Sequence, residues 1–184
     1  MSEEAFYINP KIREVGSDIL HLTFMTPEYV DYVLEACKAV DSWAPNKHDR
    51  RYSTYDIHLN EELPSIYEAI NDHLNTVIWP MVALWWGVEG FEVSNMFALK
   101  YSADTQTSLK LHHDDSYITA SVKLNDDYDG AELIFPTKGK FSNKHIPIGD
   151  LLVWPGSITH AHKCTDLWHG EKYSLTIWTK QTTN

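Results

Sequence analysis

The sequence predicts an α+β domain in which N-terminal helices pack on one face of a curled antiparallel sheet or barrel. Two observations predict this arrangement. Before residue 90, apolar residues recur at helical spacing in two segments. After Gly90, the chain changes to short β-prone runs separated by turn residues. We therefore expect one domain over residues 1–184, with helical support at about 20–90 and the β core at about 91–180.

Two helices are predicted in the first half of the chain. Thr26 is suited to cap the first helix and Pro27 to its first turn, which predicts a helix from about Pro27 to Asp41. A second helix is predicted to begin at Pro64 and to end near Pro80, because proline interrupts helices. The apolar residues that set the helical spacing are Val30, Val33, Leu34, Cys37 and Val40 in the first helix, and Ile66, Ile70, Leu74, Val77 and Ile78 in the second.

Five short segments rich in β-branched and aromatic residues predict the strands. The clearest turns between them are Asp129-Gly130 and Pro155-Gly156. The predicted strands are Phe91 to Tyr101, Ser116 to Leu124, Ala131 to Phe135, Leu151 to Trp154 and Tyr173 to Thr179.

Composition and charge narrow the function classes. The net charge of -11 argues against a nucleic-acid partner and is compatible with a basic substrate. The two cysteines give no disulfide framework, and the start of the chain, Met1 to Tyr7, lacks the pattern of a signal peptide. No apolar stretch approaches the ~20 residues that span a bilayer. We therefore expect a soluble cytoplasmic protein, compatible with a homodimer, in which Lys47 to Arg51 form a charged surface loop.

The run His112-His113-Asp114 is the main candidate for a metal site. Two imidazoles and one carboxylate can hold iron(II) by three cis positions and leave three positions open. Side chains alternate along a strand, so the side chains of His112 and Asp114 share one face, and those of His113 and Asp115 share the other. The apolar even positions that follow favour His112 and Asp114 as the inward pair, although one bulge would exchange the two faces.

A late histidine and a lysine complete the pattern. His160 and His162 both follow the Pro155-Gly156 turn and share strand parity, so spacing does not choose between them as the third ligand. Lys172 lies at the start of the last predicted strand, where a cation would bind an anionic co-substrate by a charge-assisted hydrogen bond. The combination predicts an oxygenase that uses iron and 2-oxoglutarate.

Three other interpretations remain open from these residues. The histidines could be ordinary surface or hydrogen-bonded residues, since a His-x-Asp pattern arises by chance in a chain with ten histidines. Zinc also accepts two imidazoles and a carboxylate, so a zinc hydrolase is an alternative, but it leaves Lys172 without a role. A binding module without turnover would have no need of all three ligands.

Over roughly residues 52 to 180 the chain resembles the catalytic domain of the lysyl hydroxylases that act on procollagen, within the superfamily of iron(II)- and 2-oxoglutarate-dependent prolyl and lysyl hydroxylases. The spacings from Tyr101 to His112 and from His162 to Lys172 agree with that family. The matching segments are Tyr55-Asp56-Ile57-His58, Leu99-Lys100-Tyr101, Ser108 to Asp114, Val122 to Asn125, Asp127 to Gly130, Trp154-Pro155-Gly156, Thr159 to His162 and Lys172-Tyr173.

The resemblance implies a double-stranded β-helix, a jelly-roll or cupin-like barrel, with a defined set of site residues. It makes His112, Asp114 and His162 the iron ligands and catalytic centre, and so chooses His162 over His160. Lys172 would bind the distal carboxylate of 2-oxoglutarate and Tyr101 would donate a hydrogen bond to it. Further pocket positions implied for the cofactor are Thr176, Trp178 and, as the weakest candidate, Asn125.

The implied activity is hydroxylation of an unactivated C–H bond, with Fe(II), 2-oxoglutarate and O₂ as cofactors, ascorbate as a supporting reductant, and succinate and CO₂ released. A peptidyl lysine is the expected substrate. Animal lysyl hydroxylases have an arginine where this chain has Lys172, and collagen-type prolyl 4-hydroxylases have a lysine there. A prolyl 4-hydroxylase, or a hydroxylase for a free amino acid or other small molecule, is therefore the alternative. A free-standing microbial or viral relative is expected.

Overall fold

A computed structural model of the protein describes residues 5–46 and 54–182. The loop predicted at Lys47 to Arg51 lies outside the described residues, as do the first four residues of the predicted non-signal N-terminus. Among the described helices, none is long and apolar enough to cross a bilayer.

The helices form where the apolar spacing predicts them, with one exception at Pro80. The first helix begins at Pro27 after Thr26, as predicted, and ends three residues earlier than predicted, at Lys38. The helices are α1 (Pro27–Lys38), α2 (Leu59–Glu62), α3 (Pro64–His73) and α4 (Trp79–Trp86), with a π-helical turn at Leu74–Ile78 and a 3₁₀ turn at Asn143–His145.

Pro80 does not end the second helical segment. Backbone bonding passes through the π-helical turn and continues into α4, where Pro80 occupies the first turn. A proline cannot continue the i→i−4 bonding of an α-helix, and here it lies just after a π-helical turn in which that bonding pattern is already interrupted. The segment ends instead at Gly87, whose left-handed φ of 65° makes it the C-terminal cap.

All five predicted strands form, within a few residues of their predicted bounds. The remaining strands are mostly shorter, and their sequences show little of the residue pattern that predicts a strand. The strands are β1 (Ile12–Gly16), β2 (Ile19–Leu22), β3 (Ala44–Pro45), β4 (Tyr55–His58), β5 (Phe91–Tyr101), β6 (Leu109–His112), β7 (Ile118–Lys123), β8 (Tyr128–Gly130), β9 (Leu133–Phe135), β10 (Phe141–Ser142), β11 (Leu151–Pro155), β12 (His162–Cys164), β13 (Leu167–Gly170) and β14 (Lys172–Gln181).

Within the described ranges, the strands form a long sheet and a short sheet that share a cavity. The long sheet has the order β1-β2-β11-β7-β14-β5-β4-β3, and the short sheet β10-β9-β12-β6. A third pair, β13-β8, adds a small ribbon. Every pairing between these strands is antiparallel, as the sequence predicts.

The helices pack on one face of the long sheet. Alternation on β7 places Ala120 and Val122 in a buried apolar cluster with Val33 of α1 and Ile70 of α3. The intervening residue Ser121 faces the other way, into the cavity. One face of the sheet is therefore core and the opposite face is free for a site.

Two details of the predicted organisation are corrected. Strands β2, β3 and β4 come from the part of the chain assigned to helical support and β1 precedes that part, so the sheet does not begin at residue 91. Asp129-Gly130, predicted as a turn, lies in β8 instead, and its partner strand β13 comes from almost forty residues later. Such pairings between distant segments leave no mark on local sequence.

We expect Gly130→Ala to destabilise the fold far more than Gly87→Ala. Both glycines have left-handed φ, 81° and 65°, which costs a residue with a Cβ about 1 kcal/mol. A Cβ on Gly130 would also lie 2.1 Å from the carbonyl oxygen of Asp166, whereas one on Gly87 would meet nothing within 4 Å. The free energy of unfolding in urea should fall by at least about 3 kcal/mol for Gly130→Ala and by about 1 kcal/mol for Gly87→Ala. Equal losses would contradict this account.

Candidate metal centre

The short sheet brings two predicted histidines side by side. His112 at the end of β6 and His162 at the start of β12 are directly paired in the antiparallel register, and their ring centroids are 4.4 Å apart. Asp114 lies two residues beyond the end of β6, where its backbone N–H donates to the carbonyl of Gly156. The Pro155-Gly156 segment thus positions the carboxylate beside the histidine pair.

The three side chains converge on one small volume. Nε2 of His112 lies 3.4 Å from Oδ1 of Asp114, and Nε2 of His162 lies 3.5 Å from Oδ2. One ligand atom from each of the three residues lies within 4.8 Å of the other two. All three side chains are at least nine-tenths buried, so the cluster is shielded from bulk water.

Backbone carbonyls set the tautomer of both histidines. Nδ1 of His112 is 2.7 Å from the carbonyl oxygen of Lys110, and Nδ1 of His162 is 2.9 Å from that of His160. A carbonyl accepts only a hydrogen, so each Nδ1 carries the proton and each Nε2 presents a lone pair. This orientation by an outer partner is the usual arrangement of metal-binding histidines.

The protonation states of Asp114 and His162 suit a cation. Burial raises the pKa of Asp114, but the neighbouring His162 and His112 lower it by a larger amount, so the net pKa lies below its ordinary value. Burial lowers the pKa of His162, with Asp114 opposing it, and the net shift keeps the imidazole neutral. The buried Oδ2 of Asp114 accepts no hydrogen bond from any described residue, and a bound cation would satisfy it.

This donor set fits a divalent metal with open coordination positions. Two neutral imidazoles and one carboxylate are the facial donor set of non-haem iron(II) oxygenases, and zinc accepts the same atoms. The geometry therefore makes the three residues a candidate site for such a metal, and the donor atoms alone do not choose between iron and zinc.

The alternative ligands lie elsewhere. His113 and Asp115 line the cavity but are not part of the three-residue cluster. His160 is fully buried outside it, with Nε2 2.9 Å from the carbonyl oxygen of Ser17. The strand-parity argument for His112 and Asp114 fails in its reasoning, because β6 ends at His112 and a separate strand of the other sheet begins at Ile118.

A cavity of about 310 Å³ connects the metal centre with the long sheet. His112, His162 and Cys164 line it from the short sheet. The facing residues come from alternate positions of β14, where Lys172, Ser174, Thr176 and Trp178 all line it, as the sequence predicts for this polar face. The cavity is thus enclosed between the two sheets, with the metal centre on one wall.

Lys172 is a buried lysine among the residues that line this cavity. It is 4% exposed, and its Nζ donates to the carbonyl of Ala131 at 2.7 Å and lies 3.7 Å from Sγ of Cys164. The amine is also 5.1 Å from the ring centroid of Tyr101. Within the described part of the chain, no carboxylate lies at ion-pair distance from Lys172. A buried cation without a carboxylate partner is poised to bind an anion.

Tyr101 lies opposite Lys172 in the register of β5 and β14. It is 2% exposed, and burial raises its pKa well above the ordinary value, so the hydroxyl remains protonated at neutral pH. A protonated phenol is a hydrogen-bond donor for a carboxylate. The structure therefore places both residues predicted to hold the distal end of an anionic ligand in the lining of the same cavity.

Asn125, the weakest of the predicted cofactor positions, is not among the residues that line the cavity. Its amide nitrogen donates to the carbonyl of Glu171 and to Asp127, and its Oδ1 accepts from the backbone N–H of Tyr173. These bonds connect the end of β7 to the start of β14. These bonds hold the strand that carries Lys172, and a cofactor role for Asn125 stays a prediction.

Sequence reasoning missed Lys123 as a cavity residue. Lys123 is 5% exposed and lines the cavity with Ser121 from the same strand. The sequence signal that could have found it is the alternation on β7, where the odd positions, Lys123 among them, are polar and share one face.

Sequence comparison finds distant relatives among the procollagen lysine hydroxylases. No family model matches the chain. Over 169 residues it is 27% identical to human procollagen-lysine,2-oxoglutarate 5-dioxygenase 2, an alignment covering 85% of this chain and 22% of that protein. The chain thus spans about a fifth of the length of this relative. The resemblance to the lysyl hydroxylases noted from the motifs is confirmed.

Solved structures show the same fold class. A 2OG-Fe(II) oxygenase family protein from Burkholderia pseudomallei matches with a TM-score of 0.66 at 16% identity, covering 91% of this chain and 88% of that one. A prolyl-4-hydroxylase from Pseudomonas putida matches with a TM-score of 0.62 at 18% identity, covering 90% and 94%. The protein has the fold of the 2OG-Fe(II) oxygenases. The fold and the His-Asp-His cluster together support Fe(II) and 2-oxoglutarate as cofactors.

Proposed function

We propose that the protein is an Fe(II)- and 2-oxoglutarate-dependent dioxygenase that hydroxylates a peptidyl lysine side chain and releases succinate and CO₂. The observation that carries this proposal is a cavity lined both by a buried His-Asp-His cluster and by a buried lysine. The cluster is His112, Asp114 and His162, and the buried cation is Lys172. A dicarboxylic keto acid has the complementary pair of groups. We also propose that the two sheets form the double-stranded β-helix of this class.

The residues of this chain bind, orient and shield in the proposed reaction. His112, Asp114 and His162 would hold iron(II), which supplies activation of dioxygen for attack on an unactivated C–H bond. Lys172 and Tyr101 would hold the distal carboxylate of 2-oxoglutarate and so direct its keto acid end towards the metal. Burial of the cluster excludes bulk water from the reacting groups.

The lysine substrate is proposed from the sequence relatives and from charge. The curated sequence relatives include procollagen-lysine hydroxylases. The chain's acidic excess also suits a cationic substrate side chain. A second candidate is a peptidyl prolyl 4-hydroxylase. It is favoured by Lys172, since collagen-type prolyl 4-hydroxylases have a lysine at this position. The metal chemistry is the same for both.

Succinate formation coupled to a mass change on peptide tests the proposal. Protein loaded anaerobically with iron(II) should convert 2-oxoglutarate to succinate in air with ascorbate, faster when lysine-containing peptides are present. The same peptides should gain 16 Da, and fragmentation should place this mass on lysine. Peptides in which every lysine is replaced by arginine provide the matched control.

Three other outcomes would point elsewhere. A gain of 16 Da on proline would establish the prolyl hydroxylase instead. Succinate without any modified peptide would favour a small-molecule substrate within the same chemistry. Iron binding without succinate formation or 2-oxoglutarate binding would overturn the oxygenase proposal and leave the zinc hydrolase or a binding module.

A further inference from the structure

A second buried lysine lines the cavity near Lys172. Lys123 projects from β7 on the same face of the long sheet as Ser121, and its side chain is 4% exposed. Lys123 is paired in register with Ser174, which is two residues from Lys172 on β14. Diagonal neighbours of this kind have Cα atoms roughly 7–8 Å apart, a separation that two lysine side chains bridge readily.

The counter-charge of Lys123 lies at the protein surface. Its Nζ is 2.8 Å from Oδ1 of Asp126, whose side chain is 60% exposed. An ion pair with one partner in water is weak, because solvent competes for the carboxylate. The same amine would bind a carboxylate inside the cavity more strongly, because water does not screen that contact.

We propose that Lys123 is a second cation for the distal carboxylate of 2-oxoglutarate, and that this carboxylate takes the amine from Asp126. Two buried ammonium groups, Lys123 and Lys172, then face one ligand carboxylate. Both cations line the same cavity, and only a 2-oxo acid with a second carboxylate can pair with them. The pocket therefore distinguishes a dicarboxylic 2-oxo acid from a monocarboxylic one. This inference rests on the proposed function of the site.

Binding of 2-oxoglutarate to the manganese-loaded protein without oxygen tests the inference by calorimetry, independently of turnover. Lys123→Met keeps most of the apolar side chain and removes the charged amine. It should weaken 2-oxoglutarate binding by about 10- to 100-fold, the effect of losing one charge-assisted hydrogen bond. Asp126→Asn should tighten binding by about two- to fivefold, because the competing surface pair is lost.

Two controls separate ligand binding from a structural role. Lys180→Met removes an exposed lysine from β14, paired with Glu92 at 3.1 Å, and should leave binding unchanged. The second control is 2-oxovalerate, which has the same carbon chain without the distal carboxylate. Its affinity should be the same for Lys123→Met and the unsubstituted protein, whereas a general disturbance of the cavity would weaken both ligands alike.

The outcomes distinguish this inference from the proposed function. If the unsubstituted protein binds no 2-oxoglutarate, the proposed function fails. If it binds 2-oxoglutarate and Lys123→Met binds it equally well, only the role of Lys123 is overturned. Weaker binding by Asp126→Asn would also overturn the exchange of partners, because the carboxylate would then be supporting Lys123 rather than competing for it.

Discussion

Asp114→Ala should abolish metal-dependent turnover, whereas Asp115→Ala should largely preserve it. Asp114 supplies the only carboxylate of the three-residue cluster, and one of its oxygens has no hydrogen-bond donor among the described residues. Loss of an outer hydrogen-bond partner of a metal ligand already costs about 10- to 100-fold in metal affinity or activity. Loss of a ligand itself should exceed that range. Asp115 is exposed at the cavity and lies outside the cluster.

The two variants should be compared by iron(II) affinity, by succinate formation and by melting temperature. Asp114→Ala should still give a cooperative melting transition, because the substitution keeps the backbone hydrogen bond that fixes this position to Gly156. Lost activity in a folded protein then reports the ligand and not the fold. The reverse pattern, with Asp115→Ala inactive and Asp114→Ala active, would move the metal to His113 and Asp115.

The helices and long strands could be predicted because their signals are local. Thr26 and Pro27 mark where α1 begins, and the alternating β5 and β14 stand out without reference to any partner strand. The π-helical turn before Pro80 could not be predicted, since nothing in that segment distinguishes it from a regular helix. The short strands were missed because they form by pairing with strands that are distant in the sequence. Strand β2 pairs with β11, whose sequence lies some 130 residues away.

The candidate site was predicted better by its residue types than by the geometry assumed for them. The alternation argument treated His112 and Val122 as parts of one strand, but they lie on different sheets. The cluster forms because β6 and β12 pair directly and because Gly156 holds Asp114 beside them. That pairing joins residues fifty positions apart and is tertiary information. The role of the cluster as a metal centre stays a prediction until metal binding is measured.

Asn125 and Lys123 show the limit of reasoning from motif positions. Both belong to the segment Val122 to Asn125 that resembles the lysyl hydroxylases, and the resemblance proposed a pocket role only for Asn125. In the structure, Asn125 bonds to backbone groups near the start of β14, and Lys123 faces the cavity. Strand β7 ends at Lys123, so the alternation that turns Ser121 and Lys123 towards the cavity does not extend to Asn125.

Lys172→Met should severely weaken the binding of 2-oxoglutarate and leave metal binding intact. Lys172 is a buried cation in the lining of the cavity, with a backbone carbonyl and a thiol as its polar contacts. Methionine fills similar space without charge, so the distal carboxylate would be buried without its main partner, at a cost of several kcal/mol. We expect affinity for 2-oxoglutarate to fall by more than about 100-fold, measured by calorimetry on manganese-loaded protein.

Lys172→Arg separates the need for charge from the need for this particular side chain. Arginine keeps the cation and adds a planar fork that binds carboxylates at two points, but its larger head group must fit between Cys164 and the carbonyl of Ala131. We expect 2-oxoglutarate binding weaker than in the unsubstituted protein and clearly stronger than in Lys172→Met. Iron(II) affinity should be the same in all three proteins, because Lys172 is not part of the metal cluster. If Lys172→Met bound 2-oxoglutarate normally, the buried amine would have only a packing role, and the cavity would no longer support an oxygenase.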